Sequence, residues 1–170
     1  VEGHHFFTTD EGKHSDVYLA EKLQAPFLQE LGAVNLKFVD HGSVNIIVFH
    51  GSGTSVFPWG PLIKLFRVST SFNAAVFLMG HQTKKAVGEY DFVNFEFPEG
   101  AKPYLDHVPV HLVGTGGWQK GYIDGQSTYI SRGMYAPVAL GQPVIHIRPR
   151  YRTPTTTGVR RWESRITVEA

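Results

Sequence analysis

The chain has 170 residues, 42% hydrophobic, 13% aromatic and 18% charged, with 18 Gly and 10 Pro, proportions that suit one globular domain (1–170) long enough to bury a core. It has no cysteine, which excludes disulfide frameworks, thiolate metal sites and cysteine nucleophiles; a cation would have to be held by His, Asp, Glu or Asn, and nine histidines are present. Its net charge of +1 divides unevenly: residues 1–124 carry 9 Lys/Arg against 13 Asp/Glu, and residues 125–170 carry 7 against 2.

Signals of both periods alternate along the chain, so a mixed fold is expected. Ser15 is placed to cap a helix over 16–23, with Asp16 near its positive end, before Pro26 interrupts the pattern. Two β-rich runs, 33–39 and 44–49, flank Asp40-His41-Gly42-Ser43 and read as neighbouring strands, the second apolar on both faces and therefore buried. That strand runs into His50-Gly51-Ser52-Gly53-Thr54-Ser55, a loop of small residues, ahead of a helix at about 61–68. The next apolar run, 74–79, ends in Gly80-His81-Gln82-Thr83. Beyond Lys84 the spacing predicts strands at 86–97, 108–113, near 127–134, 143–148 and 159–168, forming a second, antiparallel sheet, with Pro98-Glu99-Gly100 and Thr115-Gly116-Gly117 as turns.

Two buried strands thus each end in a histidine next to glycine, which lets a ligand approach the backbone, and this is where chemistry is expected. A histidine beside glycine also serves as an ordinary turn or hydrogen-bonding residue, so spacing alone leaves a metal site open. His14, His41, His107, His111 and His146 read as structural or surface residues, and the Asp40-His41 and Asp106-His107 pairs as turns. In the basic tail, Arg148, Arg150, Arg152, Arg160, Arg161 and Arg165 could grip phosphates; a solvated strand face or loop is the preferred reading. Trp59, Trp118 and Tyr122 could stack on a base, and core or rim packing is preferred for them. Ser52 lacks the G-x-S-x-G context of a nucleophile elbow, and the glycines lack the Lys-Ser/Thr of a phosphate loop.

Val48-Phe49-His50-Gly51-Ser52-Gly53, Leu78-Met79-Gly80-His81, the opening Gly3-His4-His5 and the stretch Thr115-Gly116-Gly117-Trp118-Gln119-Lys120-Gly121-Tyr122 stand in an order that resembles the calcineurin-like metallophosphoesterases of phage and bacterial type, over about residues 3–149. The resemblance implies an α/β (α+β) fold: a sandwich of two mixed β-sheets with flanking helices, of which this chain would be the central and C-terminal portion. It implies hydrolysis of a phosphomonoester or phosphodiester, nucleic acid among the substrates, by water activated between two divalent metal ions of the Mn, Fe or Zn class. Carried over residue by residue, His50 and His81 would be metal ligands, His4 would replace a ligand asparagine, and His5 would contact the phosphate and protonate the leaving oxygen.

Thr83 stands where the family has a second histidine, which puts the first metal in doubt, and the early D-x-H and G-D-x-x-D motifs are absent from the chain. Those motifs would lie upstream of Val1, so a fragment with little activity of its own is the expectation. No apolar run nears the roughly 18 residues that cross a bilayer and no secretory leader opens the chain, which points to the cytoplasm, of a phage host where the phage-type resemblance applies, and to no membrane partner. A non-catalytic binding or structural module that kept the fold is the alternative. An unrelated strand-rich virion protein is another, for which little helix over 15–70 would be expected.

Overall fold

A computed structural model describes residues 7–52, 57, 59–81, 84–100, 102–118, 120–152 and 161–170. The chain is α+β: a mixed five-stranded sheet with a helix on one face and a two-stranded ribbon on the other.

The first helix, α1 (Ser15–Lys22), carries Asp16 in its first turn and Lys22 in its last, both complementing the helix dipole. Its N-cap is His14 rather than Ser15; the Ser15 hydroxyl instead accepts from the Phe7 amide at 3.3 Å. Next, β1 (Leu31–Phe38) and β2 (Gly42–Phe49) form an antiparallel hairpin with Phe38 opposite Gly42, turning at Asp40 and His41. Asp40 has φ of 62° and Gly42 of 129°, and a Cβ at Gly42 would lie 2.8 Å from the Trp162 ring.

Helix α2 (Gly60–Ser69) starts with Pro61, whose missing N–H is not needed in a first turn, and crosses from β2 to the parallel strand β3 (Val76–Met79). Strands β4 (Lys85–Glu96) and β5 (Tyr104–Thr115) form a long antiparallel hairpin, and β5 inserts beside β3 in parallel. The order is therefore β1-β2-β3-β5-β4, with three parallel strands in the middle and an antiparallel strand at each edge. This corrects the expectation that 86–97 and 108–113 belong to a second sheet. Asp106 and His107 lie inside β5, not in a turn.

The segment near 127–134 is not a strand but contains the short helix α3 (Tyr129–Arg132). Thr128 and Ser131 form a reciprocal capping box there, a local hydrogen-bonding choice that outcompeted the strand pattern. Strands β6 (Val144–Arg152) and β7 (Arg161–Glu169) pair antiparallel, so the second sheet is a two-stranded ribbon and only the first sheet is mixed.

Period-two alternation splits the core into two layers. Ile47, Phe77, Met79, Val110 and Leu112 face α2 and pack around Leu65, which is fully buried. Val44, Ile46, Val76 and Val113 face the other way and are covered by Ile145, Ile147, Trp162, Ile166 and Val168 of the ribbon. The hydroxyls of Ser69 and Tyr90 meet at 2.8 Å and tie α2 to β4. Helices within 15–70 and three adjacent parallel strands distinguish this arrangement from the antiparallel sheets of a jelly roll.

Candidate functional site

The register places Phe49, Met79 and Gly114 side by side as the last row of the three parallel strands. The residues that follow, His50, Gly80-His81 and Thr115, therefore share one sheet edge. In open α/β sheets this carboxyl edge is the place for ligands, because the loops that leave it diverge. The start of α2 lies at the same end, since a Cβ on Gly114 would sit 3.3 Å from Pro61 Cβ.

The edge is cross-braced by backbone. The Gly80 amide donates to Phe49 O at 3.1 Å, the His50 amide to Glu30 O at 3.3 Å, and the Thr115 hydroxyl to Met79 O at 3.3 Å. Lys64 of α2 donates through Nζ to Ser52 O, which fixes the loop leaving β2 against the helix. Gly51 has φ of 83°, and a Cβ there would come within 2.5 Å of Met79 Cγ; only glycine fits.

This frame brings together the two histidines that the sequence singled out 31 residues apart. His50 Nε2 lies 3.1 Å from His81 Nδ1, the rings are 4.8 Å apart between centroids, and both are half-buried. One imidazole nitrogen donates and the other accepts. His81 holds φ of 54°, in the left-handed region that costs a non-glycine residue about 1 kcal/mol, and such strain is commonest at functional sites. Among the described residues no third His, Asp or Glu joins the two in a group able to hold a metal. His4, His5 and Thr83 lie outside the described residues.

The remaining histidines separate into surface and core. His41 sits in the β1–β2 turn with Nδ1 2.7 Å from Val39 O, and His107 Nδ1 approaches Asp91 Oδ2 at 3.1 Å on the exposed side of the β4–β5 hairpin. His111 is different. It is 2% exposed, directly opposite Glu89 in the ladder, with Nδ1 3.4 Å from Glu89 Oε2 and Nε2 without a partner among the described residues. Burial pushes its pKa below the usual 6.5, and the Glu89 carboxylate offsets part of that fall. Local sequence does not reveal this pair, because Glu89 and His111 meet only once the β4–β5 register is set.

A cavity of about 460 Å³ opens at the opposite, amino-terminal ends of the parallel strands, between Asn45, Asn73, Tyr104, Asp106 and Trp162. It lies at the other end of the strands from the histidine pair. No protein-family model matches the chain, and no curated protein and no solved structure matches it.

Proposed function

We propose that this chain takes part in metal-dependent hydrolysis of a phosphomonoester or phosphodiester, with His50 and His81 holding a divalent cation. The observation that carries the reading is the 3.1 Å between the two ring nitrogens. Two nitrogens each about 2.1 Å from one cation lie about 3.0 Å apart at a right angle and about 3.4 Å apart at the tetrahedral angle. A modest turn of either ring, with the proton of the donating nitrogen lost to solvent or moved to that ring's other nitrogen, would leave two lone pairs converging on a cation.

When bound, a divalent cation supplies Lewis acidity, offsetting charge on phosphoryl oxygens and acidifying water. The chain's own residues supply the rest. His50 and His81 orient the site from two rigid strand ends, while Gly51 and Gly80 keep its floor free of side chains. His4 as a further ligand and His5 as proton donor to the leaving oxygen enter through the family resemblance alone. So does the metallophosphoesterase sandwich, supported by the order of the sequence landmarks. The pair accounts for one cation; a dinuclear centre needs donors beyond it, and nucleic acid is one of the phosphodiesters it would serve.

Titration calorimetry with Mn²⁺ and Zn²⁺, beside hydrolysis of an aryl phosphomonoester and an aryl phosphodiester, tests the reading. Binding of one cation and weak cation-dependent hydrolysis are expected, both lost in His50→Ala. His81→Gly separates function from folding: it removes a ligand and relieves the left-handed backbone, so melting temperature holds or rises while cation binding disappears. Hydrolysis unchanged in His50→Ala would overturn the assignment. A non-catalytic module is the second reading, favoured by the hydrogen bond through which the two rings satisfy each other without a cation; no heat of binding and no hydrolysis would establish it over the first.

A further inference from the structure

The β6–β7 ribbon has two unlike faces. Tyr151 opposite Trp162, Ile147 opposite Ile166 and Ile145 opposite Val168 fall on one side, and their apolar members pack on the sheet. Alternation puts His146, Arg148, Arg150, Glu163, Arg165 and Glu169 on the other, and Arg148, Arg150 and Arg165 are exposed. Arg148 and Arg165 are directly opposed in the ladder, and neither makes an ion pair among the described residues. A further Arg–Arg register pair, Arg152 opposite Arg161, ends the ribbon.

Like charges facing each other across a ladder destabilise it, and nothing among the described residues neutralises this pair. Arg150 is partly neutralised, its Nη2 lying 2.8 Å from Glu163 Oε1, and Glu169 lies at the other end with His146 Nε2 at 3.5 Å. The middle of the ribbon thus presents two exposed guanidiniums without an ion pair among the described residues. Arginines two apart on one strand are about 6.7 Å from each other, comparable to the separation of successive phosphates along a nucleic-acid strand.

We propose that the outer face of the β6–β7 ribbon binds the phosphodiester backbone of nucleic acid without reading its sequence. Charge complementarity selects the partner: the phosphate monoanions of a backbone meet the exposed Arg148, Arg150 and Arg165, whose guanidiniums can grip phosphate oxygens in pairs. Guanidinium contacts to phosphate oxygens position a protein on the backbone and carry no sequence information. The surface is independent of the histidine pair, so it stands whether or not a cation binds there.

Fluorescence anisotropy with a labelled duplex of about 20 base pairs, read between about 50 and about 200 mM KCl, tests it. Binding should weaken steeply with salt and be the same for unrelated sequences. Arg148→Gln and Arg165→Gln should each lower the slope of log affinity against log salt by about 0.9, as loss of one phosphate contact does. Arg67→Gln, the same charge change on α2 across the sheet, should leave the slope as it was. Glu163→Gln should tighten binding, since it frees Arg150 and removes a negative charge from the face; misfolding cannot mimic that gain. No binding at the low-salt end, or equal loss in Arg67→Gln and Arg165→Gln, would overturn the proposal.

Discussion

At the scale of single residues, His111 shows how burial outweighs a neighbouring carboxylate in setting a proton equilibrium. The ring is almost wholly shielded between the sheet and its cover, and desolvation disfavours the imidazolium more than the Glu89 carboxylate favours it. The folded protein therefore binds this proton less readily than the unfolded chain, whose value is near 6.5. The stabilising contribution is complete above that value. It erodes as pH falls below 6.5 and levels off once the folded-state value is passed. Urea melts at a series of pH values should show this loss between neutral and mildly acidic pH, and His111→Leu should flatten it. A profile unchanged by the substitution would mean that other groups carry the acid sensitivity.

Elements meet their strictest demand where β2 leaves the sheet. Gly51 needs both a positive φ and room beside Met79, whereas Gly100, in the β4–β5 connection with φ of 73°, has nothing within 4 Å of an added Cβ. Gly100→Ala should cost about 1 kcal/mol, the left-handed backbone alone. Gly51→Ala should cost about 1–3 kcal/mol more, since Met79 must also move. Paired denaturant titrations give the difference directly, and equal costs would show that Met79 yields freely. At this scale the hairpins and both longer helices were legible from turn residues and apolar runs. The stretch near 127–134 was not: its apolar residues allowed a strand, and the Thr128–Ser131 capping box that decided for helix is a four-residue effect hidden in a strand-like run.

For the whole molecule, the two core layers on opposite faces of one sheet make a prediction about cooperativity. Leu65 on α2 and Ile166 on β7 are both buried, one in each layer. Leu65→Ala and Ile166→Ala should each destabilise by about 2–5 kcal/mol. Because they share no packing partners, the double variant should lose close to the sum, in a single transition. An Ile166→Ala protein that keeps its main transition and gains a separate early one would show that the ribbon folds apart from the sheet.

Composition and local pattern were enough to establish a mixed α+β chain, to exclude cysteine chemistry, and to mark His50 and His81 as the residues at the ends of buried strands. Those features are local: alternation, turn residues and small-residue loops act over a few positions. Pairing between distant strands is a different kind of information. Nothing near 104–115 says that β5 lies parallel to β3 rather than in a second sheet, because an apolar strand is compatible with either neighbour. That one choice, made by burial against both layers at once, brings Thr115 to the histidine edge, while the β4–β5 register sets His111 opposite Glu89. In the basic tail the arginines were visible as a cluster, but only the β6–β7 register turned Arg148 and Arg165 into a facing pair, since which side chains oppose one another depends on a partner strand.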